Sequence, residues 1–151
     1  MPSKLALTSF VLLIIQIAYG GMTAGLKAGH VSDTWPLMFG KLIPPNLFGS
    51  FINIFETPQT IVFIHRWFAF AVLISMIAFY ISALKKNDSI QIKNGLNWLL
   101  GLVIFQIVLG ILTVILHVQI AIALAHQAGA LALFTLLIYF IHQLRTIDLK
   151  S

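Results

Sequence analysis

The chain alternates long apolar stretches with short polar breaks, and each stretch has the length of a membrane-spanning helix. A helix that crosses the bilayer core needs roughly 20 apolar residues. Residues 5–26 and 60–84 supply two such stretches. From Asn94 to Leu144 the chain has no Asp, Glu, Lys or Arg, which is too long for one crossing and suits two, over residues 95–116 and 119–144. The pattern predicts an all-α membrane protein, with four transmembrane helices in one antiparallel bundle and a single domain over residues 1–151.

The third and fourth predicted helices are separated by a weak signal. The break is placed at His117-Val118-Gln119, where polar side chains cluster. No Gly or Pro marks a turn there, so the pattern fixes its position only loosely. No internal repeat is evident along the chain.

The connection between the first two helices, residues 27–59, is long, apolar and interrupted by prolines and glycines. Apolar residues recur at helical spacing from Leu47 to Phe55. This spacing predicts an interfacial amphipathic helix lying over the outer end of the bundle. Two roles stay open for the segment, a plain membrane anchor and a cover over a bound ligand.

Composition agrees with the membrane class and excludes several others. The chain is 60% hydrophobic and 9% charged, with a mean hydropathy of +1.00. There is no cysteine, so disulfide and thiolate chemistry are excluded. The net charge is +5, but Lys and Arg lie at the ends of apolar stretches and form no stripe. We therefore expect membrane lipid as a partner and no nucleic acid.

The basic residues also predict the orientation. If the four helices alternate, one side of the membrane receives six of them: Lys4, Lys85, Lys86, Lys93, Arg145 and Lys150. By the positive-inside rule, both termini and the 85–93 loop are cytoplasmic. The 27–59 connection and the turn near His117 then lie outside. The absence of an Arg- and Ser-rich leader favours a bacterial inner membrane over the mitochondrial one.

Two histidines lie inside predicted helices, where polar side chains are costly and usually functional. His65 is about five residues into the second helix and His126 about seven into the fourth, counted from the same side of the bilayer. At about 1.5 Å per residue, both imidazoles lie roughly 7 to 11 Å below the outer surface. Two imidazoles at one depth on separate helices are typical of the axial ligands of a haem. We therefore predict a haem b iron held by His65 and His126.

The neighbours of these histidines suit a flat macrocycle. Gly129 follows His126 at helical spacing, and Ala69 follows His65, so little side chain competes for the space. Arg66 lies at the outer edge, where it could pair with haem propionates. Small residues also simply let helices approach closely, and that explanation stays open.

The remaining polar residues are weaker candidates. His30, His117 and His142 are expected to be surface or interfacial residues, although His30 or His117 could shuttle protons. A zinc site is not expected, because metal-ligand spacings are absent. Asp33 and Glu56 could pair outside the membrane, although nothing in the sequence brings them together. Gln127 and Thr113 are possible hydrogen-bond donors near the iron.

Three motifs follow one another along the chain: Gly20-Gly21-Met22-Thr23-Ala24-Gly25-Leu26-Lys27-Ala28-Gly29 with Thr34-Trp35-Pro36-Leu37-Met38 and Ile43-Pro44, then His65-Arg66, then His126-Gln127-Ala128-Gly129-Ala130. Together they resemble the haem A synthase family. The match runs in order over roughly residues 10–135. Family members generally have eight spans in two similar halves, and the resemblance implies that this chain corresponds to the C-terminal half.

The resemblance implies a permanent haem b on His65 and His126, in an enzyme that oxidises a methyl group of haem O to a formyl group and so makes haem A for cytochrome oxidase. The family's first half carries a glutamate three residues before its histidine-arginine pair, and here that position is Val62. Without this carboxylate, the sequence leaves open whether the chain is catalytic alone, pairs with a first-half partner chain or forms a homodimer.

Three functions are therefore carried forward. The first is the haem b-binding half of a haem A synthase-like oxidoreductase. The second is a non-catalytic membrane b-type cytochrome, an electron carrier or oxidase-assembly protein that holds haem without transforming it. The third is a structural membrane subunit with no cofactor.

Overall fold

A computed structural model describes residues 2–86 and 89–148, with side chains as far as Gln143. Lys150 of the topology prediction lies outside the described residues, as does the side chain of Arg145. The described chain is helical, without a named strand, and its elements are α1 (Pro2–Gly25), a short 3-10 turn (Ala28–His30), α2 (Asn53–Glu56), α3 (Pro58–Leu84), α4 (Ile90–Ile115) and α5 (Ile120–Asp148).

Four of these helices, α1, α3, α4 and α5, are long and apolar enough to cross a membrane, which confirms the predicted all-α membrane class. Their outward faces carry large exposed apolar side chains, including Trp98 at 77%, Ile74 at 67% and Leu131 at 65% exposed. A helix that is apolar on every side is typical of a membrane span, where the outer face contacts lipid.

The helices pack around one apolar core to which all four contribute. α1 packs chiefly on α3 and α4 chiefly on α5, with further contacts between α1 and α5 and between α3 and α4. Phe79 of α3 meets Phe140 of α5 in an edge-on aromatic contact, with ring centres 6.3 Å apart. The buried core comprises Ala6, Leu13, Val72, Met76, Phe79, Ala83, Leu96, Leu99, Val103, Leu133, Leu137 and Phe140.

The turn between α4 and α5 lies where the weak break was placed, and it closes without glycine. His117 and Val118 both adopt left-handed backbone conformations, with φ of 53° and 59°. The N–H of Val118 donates to the Thr113 carbonyl at 2.8 Å, and the N–H of His117 to the Val114 carbonyl at 3.2 Å. This pair of bonds is the Schellman motif, which commonly ends helices at a glycine. The turn was hard to locate because a histidine takes the glycine position.

The long connection between α1 and α3 differs from the predicted amphipathic helix. Only its last turn, α2, is α-helical. The rest contains the 3-10 turn, an isolated bridge between Met38 and Lys41, and irregular turns and bends. Its backbone is held by side chains at the start of α3 instead: Gln59 donates to the Pro45 carbonyl at 3.1 Å, and Thr60 to the Leu47 carbonyl at 2.6 Å. Apolar spacing alone predicted a helix here, whereas these non-local bonds and the interrupting prolines favour an irregular segment.

Candidate functional site

The structure brings the two intramembrane histidines together from different helices. The imidazoles of His65 on α3 and His126 on α5 have ring centres 6.4 Å apart, with an angle of 81° between their planes. Metal–imidazole nitrogen bonds are about 2.0–2.1 Å long, so two imidazoles on opposite faces of one iron have centres about 6 to 6.5 Å apart. Rings that share an axis through a metal can take any relative rotation, including one near a right angle. The spacing therefore suits one iron between the two rings.

Buried polar atoms without partners are concentrated at this pair. Seven buried side-chain nitrogen or oxygen atoms lack a hydrogen bond within the described part of the chain, and five belong to His65, His126, Gln16 and Gln106. Each such atom costs roughly 1–3 kcal/mol when left unpaired. Such a concentration at one place indicates that these residues serve something other than packing, and the imidazoles present the nitrogen donor set that a haem iron takes.

Two glycines lie directly against the imidazoles. A Cβ added at Gly20 on α1 would come within 3.0 Å of His65 Cε1, and one added at Gly110 on α4 within 3.3 Å of His126 Cε1. A side chain at either position would require the imidazole to move by a few tenths of an ångström. The histidine rings thus pack directly against the helix backbone at Gly20 and Gly110.

Two glutamines accompany the glycines one helical turn away. On α1, Gln16 Nε2 donates to the backbone carbonyl of His65 at 3.0 Å, while its Oε1 is buried without a partner. On α4, Gln106 is 7% exposed, and neither its Nε2 nor its Oε1 has a partner. The amide of Gln106 occupies the space that a Cβ on Gly129 would fill. The absence of a side chain at Gly129 therefore makes room for Gln106 beside the site.

Arg66 is buried beside His65 and holds the α1–α3 connection. Its Nη1 donates to the Thr34 carbonyl at 2.9 Å and its Nη2 to the Ser32 carbonyl at 2.7 Å. Its Nε is buried without a partner. A forked cationic donor on two carbonyls fixes this part of the connection at the histidine end of the bundle. The predicted pairing of Arg66 with haem propionates stays a prediction.

The other polar residues singled out from the sequence are exposed or bonded to other groups. His117 Nδ1 is 3.7 Å from Asp33 Oδ2, and both side chains are mostly exposed. His30, His142 and Gln127 are exposed, and the Thr113 hydroxyl donates to the Leu109 carbonyl at 2.8 Å. In the described residues, no three His, Cys, Asp or Glu side chains gather in a way that could hold a metal. The site therefore offers two imidazoles and no carboxylate.

Sequence reasoning gave no site role to Gln16, Gly20, Gln106 or Gly110, and it found no internal repeat, although a short repeated spacing was present. Residues 16–23 and 106–113 share the spacing Gln-Ile-x-x-Gly-x-x-Thr. An isolated glutamine in an apolar helix carries little information, but the same glutamine and glycine in two helices would have pointed to a repeated structural role.

The open clefts lie elsewhere. One, of about 330 Å³, lies between α4 and α5 and is lined by residues that include Ser89, Gly95 and Gln143. A shallower apolar cleft on the same helix pair includes Leu102 and Thr135. Neither of these two clefts is lined by His65 or His126.

Comparison with known proteins places the chain among membrane proteins of oxidase assembly. The sequence model of a family described as “Cytochrome oxidase assembly protein” matches residues 2–138. Over 138 residues, the chain is 41% identical to a “Heme A synthase” of Wolbachia pipientis wMel, covering 89% of this chain and 37% of that protein. A “Heme A synthase” of Rhizorhabdus wittichii is 35% identical over 146 residues, 95% of this chain and 41% of that protein.

A third relative, a “Heme A synthase” of Brucella anthropi, is 38% identical over 122 residues, 79% of this chain and 34% of that protein. The chain thus spans between 34% and 41% of the length of these relatives. No solved structure matches the chain significantly.

Proposed function

Since this chain belongs to the cytochrome oxidase assembly protein family, we propose that it holds one haem b between His65 and His126 as part of a haem A synthase-like membrane oxidoreductase. The observation that carries the proposal is the 6.4 Å separation of the two ring centres on facing helices. A haem iron with two imidazole ligands passes single electrons between partners. The substrate of the complete enzyme would be haem O, and its product haem A.

The chain's own residues would orient and enclose the group. Gly20 and Gly110 set the two imidazoles at a fixed distance from the helices behind them. Arg66 fastens the α1–α3 connection through Ser32 and Thr34, so that connection would cover the histidine end against water. With both His65 and His126 as ligands, the iron would have no open position for a substrate, which favours electron transfer over oxygen chemistry.

The haem can be tested directly by its spectrum. The chain purified in detergent is expected to show a sharp low-spin band in the reduced-minus-oxidised difference spectrum. His65→Ala and His126→Ala should each abolish this band, because each removes one axial ligand. His142→Ala, on an exposed site of α5, is the matched control and should keep it. Wild-type spectra from both site variants would refute the assignment of the ligands.

A second candidate, a membrane cytochrome or oxidase-assembly protein that holds haem without transforming it, is favoured by one observation. Val62, one turn before Arg66, is buried against Ala28 and Met38 in an apolar cluster. No acidic residue lies within α1, α3 or α4, and the one in α5, Asp148, is its last residue. The described site therefore contains no carboxylate to act on a substrate.

Co-expression distinguishes the two candidates. The chain is produced with a haem O source, with and without a first-half partner chain, and pigments are extracted and separated. Haem A that appears only with the partner supports the split-synthase function. Haem b retained by the chain, with no haem A in either case, supports the non-catalytic cytochrome.

A further inference from the structure

The histidine site is built from two copies of one two-helix unit. In the first, α1 carries Gln16 and Gly20, and α3 carries His65. In the second, α4 carries Gln106 and Gly110, and α5 carries His126. In each copy the glycine faces Cε1 of its histidine, at 3.0 and 3.3 Å from an added Cβ. The two packed pairs, α1 with α3 and α4 with α5, thus repeat the same arrangement.

The likeness extends along the supporting helices. In residues 16–23 and 106–113 the glutamine, glycine and threonine lie at relative positions 0, +4 and +7, on one face of the helix. The two threonines make the same bond, each donating to the carbonyl four residues earlier: Thr23 to Tyr19 at 2.8 Å and Thr113 to Leu109 at 2.8 Å. Thr8 and Thr135 make the same bond in α1 and α5, so these bonds are common to helical threonines. The likeness of the two helices therefore rests on the sequence spacing and on the two glycine–histidine contacts.

In each copy the histidine and the glutamine both have a buried polar atom without a hydrogen bond: Nδ1 of the histidine and Oε1 of the glutamine. The backbone carbonyls of Gln16 and Gln106 are the other acceptors beside the two rings, and substitution of the glutamine side chains leaves them in place. Gln16 is anchored next to its histidine by the bond from its Nε2 to the His65 carbonyl. Gln106 lies against Gly129, one helical turn from His126. An imidazole that binds a metal through one nitrogen usually donates the N–H of the other to an acceptor, which fixes the ring and raises its basicity.

Resting on the proposed haem ligation, we propose that Gln16 and Gln106 are equivalent positioning residues, whose amide oxygens accept the Nδ1–H of His65 and His126 and leave each Nε2 for the iron. Thus α1 and α4 each supply a glycine that packs against the histidine ring of the neighbouring helix and a glutamine oxygen that accepts its N–H. The two axial ligands would be tuned by two matching glutamines.

The test is a redox titration of purified, haem-bearing variants. Gln106→Met keeps the length of the side chain but removes the acceptor, so the ligand becomes less basic and the midpoint potential is expected to rise. Gln106→Glu keeps an acceptor and strengthens it, so the potential is expected to fall. Gln16→Met should raise the potential as Gln106→Met does. Gln127→Met makes the same chemical change on the exposed face beside His126 and should leave the potential unchanged.

Low-spin spectra and haem content are measured in the same samples. If one variant does not assemble, the remaining variants of the two glutamines still decide the sign of the shift. Potentials equal to that of Gln127→Met, in variants that keep their haem, would overturn this inference and leave the proposed function intact. A wild-type chain without haem would instead overturn the proposed function, and this inference with it.

Discussion

At the scale of single residues, the site depends on two glycines, Gly20 and Gly110, which have no side chain. Gly20 and Gly110 bring helix backbones against the imidazole edges, so the ring positions are set by main chain and not by flexible side chains. Glycine in a helix interior costs roughly 0.5–1 kcal/mol relative to alanine. At these two positions the cost is offset, because a glycine leaves space for the histidine ring.

Gly20→Ala is therefore expected to weaken haem binding. The added methyl carbon would lie 3.0 Å from His65 Cε1, so the ring would have to move. Overpacking of this kind costs about 1–3 kcal/mol. Gly21→Ala, where an added Cβ meets nothing within 4 Å, is the matched control and should leave haem binding unchanged. Haem retention during dilution in detergent measures the difference. Equal retention by the two variants would show that Gly20 does not hold the ring.

At the scale of elements, Arg66 joins α3 to the connection that follows α1. Arg66→Lys keeps the charge but cannot donate to both the Ser32 and Thr34 carbonyls in a fork. The loss of one such bond is expected to destabilise the segment by about 1.5–3 kcal/mol. Hydrogen exchange over residues 28–38 should quicken in this variant and stay unchanged in Lys27→Met, which alters an exposed cation. Unchanged exchange in Arg66→Lys would contradict the fastening role.

The α4–α5 turn gives a second prediction at this scale. His117 occupies the left-handed position of the Schellman motif, which costs a residue with a side chain about 1–2 kcal/mol. His117→Gly should therefore raise the unfolding temperature, because the contact of His117 with Asp33 is largely exposed and stabilises the fold little. His117→Ala also removes this contact, but it does not relieve the backbone, so it serves as the control. An unfolding temperature lower in His117→Gly than in His117→Ala would contradict the account.

Hydropathy was sufficient to predict the four helices, but it could not predict the structure of the segments that join them. A stretch of roughly 20 apolar residues has few alternatives in a membrane, so elements such as α3 could be predicted from composition alone. The α1–α3 connection could not, since bonds from Gln59, Thr60 and Arg66 determine its course. His65 and His126 were paired by their depth in the sequence analysis, and the structure brings their ring centres to 6.4 Å. Gln106 was not identified, because its meaning depends on its packing against Gly129 across two helices.

At the scale of the whole molecule, two kinds of exposed apolar surface suit contact with lipid: the outer faces of the helices and the α1–α3 connection. The helices expose residues such as Ile74, at 67%, along their length, whereas the α1–α3 connection exposes Phe51, at 79%, beside the histidine end of the bundle. An irregular segment rich in exposed aromatic rings suits the membrane interface. The connection would then both anchor that end and cover the site.

Spin labels can test this arrangement without background, because the chain has no cysteine. A nitroxide on Phe51→Cys in lipid bilayers is expected at shallow depth, and one on Ile74→Cys deep in the hydrocarbon. A label on Lys86→Cys, at an exposed helix end, serves as the aqueous reference. Oxygen and nickel accessibilities measure the depth. A Phe51 label as accessible to nickel as the Lys86 label would place the connection in water.

The central claim, that one iron lies between His65 and His126, is tested most directly by the haem content and electron paramagnetic resonance spectrum of the purified wild-type chain. We expect one haem b per chain, with a low-spin ferric signal typical of two imidazole ligands. A high-spin ferric signal would leave one axial face without its histidine. A chain free of haem after production with an adequate haem supply would contradict the account altogether.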